Sequence, residues 1–468
     1  MTQFTPDDFT PFAVRMEQEG LPDIVIRTFK HYYAQLVAGQ TGFIPEADLE
    51  PVESLPDAET FSESLSDAGR AALANTVFLK LNGGLGTSMG LEQAKSLLRV
   101  KNGLSFLDIF ARHALSTGVR LVLMNSFATQ ADSLAALEKY PDLWDDMPLD
   151  FLQHKIPKVS QEDLSPVSWP QDPGLEWCPP GHGDIYSALV TSGMLNTLLE
   201  NDYGYAFVSN SDNLGASIDT AILGYFVENQ LPFMMEVADR TGADRKGGHL
   251  AQRPGGQLLL RESAQCLPED ETTFQDITRH KYFNTNNLWL NLGALKAVMT
   301  DRDNILGLPM IRNSKTVDPR DSDSTPVYQL ETAMGSAIAA FEGAGAIRVP
   351  RSRFAPVKTT DDLLAVSSDA FSLTDDFRII PNSKRQERGL EQVVITLDSA
   401  HYQLVDEMKA RFPHGAPALV ECERLSIKGD VKFGKNIILR GIVEIINELD
   451  RQLQIKDGTI IEGKYKGG

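Results

Sequence analysis

Three segments between Lys80 and Gly215 combine residue types suited to phosphate and hydroxyl chemistry. The first, Lys80-Leu81-Asn82-Gly83-Gly84-Leu85-Gly86-Thr87-Ser88-Met89-Gly90, follows directly on an apolar run that begins at Val77. Glycines at the end of a strand let the backbone approach a nucleotide, and successive N–H groups can face a phosphate or a base edge. The run matches neither the phosphate-loop pattern GxxxxGK(S/T) nor the dinucleotide pattern GxGxxG. Lys95 follows closely enough to bring an ammonium over that loop's ligand; a solvated surface lysine is the competing role. The second segment, Pro179-Pro180-Gly181-His182-Gly183-Asp184, stiffens a turn with two prolines and bares it with two glycines ahead of a helical pattern from Ile185 to Leu199. His182 there suits donation to a sugar hydroxyl or a phosphate, or a structural role in the turn. The third, Phe207-Val208-Ser209-Asn210-Ser211-Asp212-Asn213-Leu214-Gly215, is an apolar strand ending in a polar cluster. A carboxylate at such a strand end can hold Mg²⁺ against nucleotide phosphates, since magnesium favours one or two carboxylates and keeps several waters. Asp212 could instead cap the helix expected near Ile218, although Asp219 is available for that task.

Two later segments add recognition groups. Phe283-Asn284-Thr285-Asn286-Asn287 offers donors and acceptors suited to sugar hydroxyls, or else turn chemistry. Val349 to Thr360 brings Arg351, Arg353 and Lys358 into a loop ordered by proline, a local basic patch. No GxSxG elbow and no cysteine–histidine spacing points to a protein nucleophile.

The elements around these segments follow from hydropathy. Residues Phe9 to Arg70 alternate amphipathic helical patches with an acidic stretch containing Pro and Ser, and read as mostly helical. From Thr76 the apolar runs Val77–Leu81, Val119–Met124, Tyr205–Ser209 and Phe233–Val237 alternate with turns and helix-length segments. That alternation predicts a doubly wound α/β sheet with ligands at the carboxyl ends of its strands. After a boundary near Asp369 to Arg388, Leu419, Leu425, Val431, Ile437, Val443, Leu449, Ile455 and Ile461 recur every six residues. This register is that of a parallel β-helix.

Composition narrows the classes further. The 468 residues, 42% hydrophobic and 23% charged, suffice for two or three packed units. A formal net charge of -20 argues against a nucleic-acid surface, and any phosphate site must therefore be locally basic. Cys178, Cys266 and Cys422 are an odd, scattered set, which fits a reducing cytoplasm. The start of the chain lacks the pattern of a secretory signal, and no stretch is long and apolar enough for a membrane span.

Taken together, Lys80 to Gly90, Leu123 to Phe127, Gln153-His154-Lys155, Pro179 to Asp184, Ser209 to Gly215, Phe283 to Trp289, Gln329 to Ala333 and Val349 to Thr360 resemble the UDP-glucose pyrophosphorylase family of the eukaryotic type. The motifs stand in family order across most of the chain. The resemblance implies an α/β, Rossmann-like nucleotidyltransferase domain with a mixed, mostly parallel sheet, followed by a left-handed parallel β-helix. Residues 1–75 would be the helical N-terminal segment, 76–380 the catalytic domain and 381–468 the β-helix. It further implies that Leu81, Asn82, Gly83, Gly84 and Gly86 hold the uridine and phosphates through backbone groups. Lys95 would contact phosphate, Gln153 would read uracil, and Gly181 and His182 would form the turn and the sugar-phosphate contact. Asn210, Ser211 and Asp212 would form the sugar and metal cluster, Asn284 and Asn286 would face glucose, and Lys358 would be the second catalytic lysine. Two departures stand out. Gln93-Ala94 precedes Lys95 where the family usually has Gly-Pro, and the chain ends at Lys464 to Gly468, short of the animal and yeast members, so a homo-oligomer through the C-terminal domain is allowed but not inherited.

The expected reaction is attack of a sugar 1-phosphate on the α-phosphorus of UTP with Mg²⁺ as cofactor, the substrates being UTP and glucose 1-phosphate. Three alternatives compete. A uridylyltransferase for galactose 1-phosphate or N-acetylglucosamine 1-phosphate would differ at the Asn284–Asn287 cluster. A β-helix acyltransferase would need a longer repeat array with a catalytic histidine inside it, yet His414 precedes most of the register. A non-catalytic sugar-nucleotide sensor could dispense with Lys95, Asp212 and Lys358, all of which are present.

Overall fold

The computed structural model describes residues 8–466; the outermost residues of the expected N-terminal and C-terminal segments lie outside the described residues. Its centre is a mixed α/β sheet built from β1 (Thr76–Asn82), β2 (Arg120–Asn125), β3 (Asp150–Leu152), β4 (Tyr205–Asn210), β5 (Phe233–Asp239), β6 (Tyr282–Asn291) and β7 (Gly345–Arg348). Strands β3, β2, β1 and β4 lie side by side in parallel. The ten-residue β6 then runs antiparallel to both β4 and β5, and β7 returns parallel to β5. The apolar runs read from the sequence correspond to β1, β2, β4 and β5.

Alternation along β1 divides the core into two layers. Val77, Leu79 and Leu81 face one apolar layer with Ile185, Leu189 and Leu195, while Phe78 faces the other with Phe110 and Phe207. The second layer runs without a break into the C-terminal strands, reaching Leu419, Cys422, Leu425 and Val431. The helices Thr10–Gln18 and Asp23–Val37 close a third cluster, in which Phe12, Phe29 and Tyr33 pack on Ile156, Cys178 and Leu330. A further N-terminal helix, Glu63–Ala72, crosses the helix Thr220–Glu228 in backbone contact: a Cβ on Gly69 would lie 1.8 Å from the Thr220 carbonyl oxygen, and one on Gly224 1.8 Å from that of Leu65.

The helical pattern expected from Ile185 to Leu199 is two helices, Ile185–Thr191 and Met194–Glu200. Gly193, at φ +78°, breaks it, a left-handed backbone that a continuous helix cannot hold. Strand β6 also departs from regularity. Its register against β5 shifts between Glu236 and Val237, so that Asn287 and Asn284 are paired while the two residues between them bulge, with Asn286 at φ +58°. Bulges of this kind re-aim side chains.

Toward the C-terminus, β8 (Val394–Leu397), β9 (Ala418–Lys428), β10 (Val431–Phe433), β11 (Ile438–Ile446), β12 (Leu453–Ile455) and β13 (Ile460–Lys466) pair in parallel throughout. One sheet is β8–β9–β11–β13 and a second is β10–β12. Seven of the eight register residues are buried, but Leu449 is 40% exposed. Asn447 explains the exception: its side chain donates to the Asp430 and Arg451 carbonyls at 2.7 and 2.8 Å and accepts from the Leu449 N–H at 3.1 Å. This closes a turn that throws Leu449 outward. Among the described residues no helix is long and apolar enough to cross a membrane.

Candidate active site

The carboxyl ends of β1, β2 and β4 open into a cleft of about 320 Å³, lined by Leu81, Gly83, Gly84, Lys95, Met124, Gln153, Pro179, Gly181, His182, Asn210, Ser211 and Asp212. Ten of these are residues singled out in the sequence; Met124 and Pro179 lie in quoted motifs but had no role assigned. Asn82 does not line the cleft. Its side chain is buried, donating to Asn125 Oδ1 at 2.7 Å and Ser133 Oγ at 2.8 Å, which braces the end of β1 against β2. Gly86 lies at the back of the glycine loop at φ +71°, and a Cβ there would press on the Lys95 side chain at 3.2 Å.

Each lining residue is held by identifiable local chemistry. Gly83 is bare because Gln153 Oε1 occupies the space 2.8 Å from where its Cβ would stand. The Gln153 amide in turn donates to the Gly181 carbonyl at 3.0 Å. Behind it, His154 is bound by the Asp184 carboxylate at 2.9 Å through Nδ1 and 2.8 Å through its backbone N–H. Gly181, at φ +80°, passes so close to Thr332 that a Cβ would sit 2.5 Å from its carbonyl oxygen. His182 Nδ1 accepts the Met334 N–H at 2.8 Å, so the ring's own proton belongs on Nε2. Burial pulls the His182 pKa down to about 4, which keeps the ring neutral and an Nε2–H donor at neutral pH.

Opposite, the Lys95 ammonium donates to Asp212 Oδ2 at 2.9 Å, and its backbone N–H donates to the Gly84 carbonyl at 3.0 Å. Ala94 is buried and the Lys95 turn is short and 3₁₀-helical, so the loop closes without the family's Gly-Pro. Asp212 Oδ1 is buried and makes no hydrogen bond within the described residues. Asp212 caps no helix. That task falls to Asp219, which accepts from the Ala221 and Ile222 N–H groups at 2.9 and 3.1 Å ahead of Thr220–Glu228.

The basic loop supplies fewer available cations than its composition suggests. Arg351 pairs with Asp244 at 2.8 Å, and the buried Arg353 forms a two-pronged pair with Glu236 at 2.8 and 2.7 Å. Lys358 alone is exposed, next to Val357, whose N–H donates to the Asp212 carbonyl at 2.9 Å. Asn284 and Asn286 do not line the cleft. They bond each other, Asn284 Nδ2 to Asn286 Oδ1 at 2.9 Å. Asn284 stands by Glu262, a half-buried carboxyl group pushed up by desolvation, against which the Asn284 hydrogen bond and the Lys358 charge act. Glu262 escaped the sequence reading because it lies in no motif. Lys80 heads the quoted glycine segment but had no role assigned, although a lone cation inside an apolar strand was a visible signal.

The chain matches the family described as UTP–glucose-1-phosphate uridylyltransferase over residues 26–440. The barley (Hordeum vulgare) protein named UTP–glucose-1-phosphate uridylyltransferase is 41% identical over 409 residues, covering 86% of this chain and 84% of its own. The fission yeast (Schizosaccharomyces pombe) protein named as a probable enzyme of that activity is 39% identical over 463 residues, or 97% and 88% of the two chains. Among solved structures, a mutant of Leishmania major UDP-glucose pyrophosphorylase crystallised with UDP-glucose superposes with a TM-score of 0.90 at 42% identity, covering 99% of this chain and 100% of that one.

Proposed function

The chain belongs to the family of UTP–glucose-1-phosphate uridylyltransferases, and from that membership we infer the roles of the cleft residues. It is a nucleotidyltransferase that joins UTP and glucose 1-phosphate into UDP-glucose and pyrophosphate. In the mechanism we propose, a glucose 1-phosphate oxygen attacks the UTP α-phosphorus in line. The new O–P bond forms as the bond to the β-phosphate oxygen breaks, and pyrophosphate leaves with the electron pair. No covalent enzyme intermediate is needed, so the protein's work is positioning and charge neutralisation.

The bare backbone of Gly83 and Gly84 admits the nucleotide, and the Gln153 amide, able to donate and accept at once, matches the uracil edge. Lys95 offsets charge on the leaving pyrophosphate. Lys358, exposed and next to the Asp212 loop, steadies the sugar phosphate and α-phosphate. His182 donates through Nε2–H to the sugar phosphate, and Asn210 and Ser211 serve the sugar hydroxyls from the cleft lining, with Asn284 and Asn286 doing so from outside that lining. The donor set fits Mg²⁺: Asp212 offers a buried carboxylate oxygen without a partner among the described residues, and magnesium needs only one or two carboxylates beside its waters. Magnesium bound there would supply charge neutralisation at the phosphate oxygens. The observation that carries this reading is the convergence of Lys95, Asp212, Gln153 and His182 on one cleft with Gly83 and Gly84.

The C-terminal strands we read as a left-handed β-helix, supported by parallel pairing such as Leu425 opposite Val443 and Val431 opposite Leu453, with every register residue but Leu449 buried. A cytoplasmic setting is in keeping with three free cysteines. A panel of UTP, TTP and ATP crossed with the 1-phosphates of glucose, galactose and N-acetylglucosamine tests the chemistry. Pyrophosphate release should be fastest for UTP with glucose 1-phosphate and should depend on magnesium. Faster release with another sugar would overturn the sugar assignment.

A further inference from the structure

We propose that Lys80 is a positioning residue whose buried amino group ties together the two ends of the loop 209–216 and so fixes where Asp212 stands. The inference rests on the reading of Asp212 as the group that serves the phosphates. Lys80 sits in β1 with no solvent exposure, its amino nitrogen 4.5 Å from the Phe78 ring centre and 4.1 Å from that of Phe110. It donates to Ser209 Oγ at 2.6 Å and to the Ala216 carbonyl at 3.0 Å. Ser209 lies near the end of β4 and Ala216 beyond the following turn. The cleft residues Asn210, Ser211 and Asp212 all lie between these two anchors. One side chain therefore closes the neck of the loop that carries them.

The rest of the loop is fixed by groups that act above this neck. The Ser211 N–H donates to the Leu81 carbonyl at 3.0 Å, and the Asp212 carbonyl accepts from Val357 at 2.9 Å. Asn213 Oδ1 accepts from Gly215 at 3.1 Å and from Ala355 at 2.9 Å. With the backbone pinned at tip and neck, the side chains of Asn210, Ser211 and Asp212 are left to face the cleft. Removing an amino group from water is costly, and a methionine of the same length would fill the space between two phenyl rings without that cost. Mere packing thus does not account for a lysine here; two hydrogen bonds to opposite ends of a site loop do. Lys95 differs, because it touches the Asp212 carboxylate itself.

The test compares Lys80→Met, Ser209→Ala and Asp212→Asn with the parent by steady-state kinetics and by hydrogen exchange read by mass spectrometry. For Lys80→Met, peptides over 209–217 should exchange at least ~10-fold faster while the β2 and β6 peptides hold their rates. Its kcat should fall ~10-fold or more with a raised magnesium requirement, whereas KM for UTP, set on the β1–β2 side, should move less than ~3-fold. Ser209→Ala should show the same pattern more weakly. Unchanged loop exchange with unchanged kcat, or exchange raised equally across the whole sheet, would overturn the proposal. If Lys80→Met does not fold, Ser209→Ala decides by the same two readouts. Full turnover in Asp212→Asn would count against the metal reading instead, and loop exchange would still judge the tie.

Discussion

Lys95 reaches Asp212 through one carboxylate oxygen, Oδ2 at 2.9 Å, and leaves the other, Oδ1, buried and unpartnered among the described residues. A carboxylate so divided can neutralise a lysine and still offer a ligand to a hard cation. Asp212→Asn should fold and melt close to the parent, yet lose turnover by at least ~10²-fold and require more magnesium. Asp219→Ala should do the reverse, costing ~1 kcal/mol of stability through the lost cap with turnover preserved. Thermal melts and magnesium titrations on the two variants check both expectations; near-normal activity in Asp212→Asn would move the search to another carboxylate.

Gln153 stands between Gly83 and the Gly181 carbonyl, with His154 anchored behind it by Asp184. Gln153→Ala should weaken UTP binding at least ~10-fold and glucose 1-phosphate much less. Calorimetry on folded protein measures this, and unchanged UTP affinity would remove Gln153 from the base site.

His182 is held neutral, with its folded pKa pulled from 6.5 to about 4. Between those values the unfolded chain binds the proton and the folded chain does not, so this residue's contribution to stability is intact above pH 6.5 and is lost as pH falls toward 4. Protonation at Nδ1 would also remove the acceptor of the Met334 N–H. His182→Gln should therefore melt with a shallower pH dependence over that window than the parent. Parallel curves would contradict the assignment.

Truncation after Arg440 removes most of β11 and all of β12 and β13, stripping Val443, Ile445, Ile455 and Ile461 from the apolar layer that continues into the central sheet. Such a chain should aggregate, because a stacked parallel array needs a closed end. Light scattering during refolding reads this directly, and a monodisperse product would count against the stacked arrangement.

Much of this architecture was legible because its signals are local. The strands β1, β2, β4 and β5 appear as apolar runs, and the glycine loop and Asp212 stand at strand ends where α/β proteins gather ligands. What stayed hidden depends on partners distant in sequence. Arg351 and Arg353 read as free cations until Asp244 and Glu236 are seen against them. Leu449 kept the six-residue period, but Asn447 turned the chain outward there. Glu262 lies far along the chain from Lys358 and in no motif, so only folding brings it beside Asn284.

The contact between Gly69 and Gly224 bears on manufacturing tolerance at the site. Helix Glu63–Ala72 leads into β1 and hence the glycine loop, while Thr220–Glu228 follows the loop that carries Asp212. Where two helices meet backbone to backbone, no rotamer or side-chain length can absorb an error in their spacing. The separation of the two halves of the cleft is thus referenced, on its far side, to a joint with no adjustable parts. Enlarging one glycine cannot be compensated by shrinking the other, which is already as small as a residue can be.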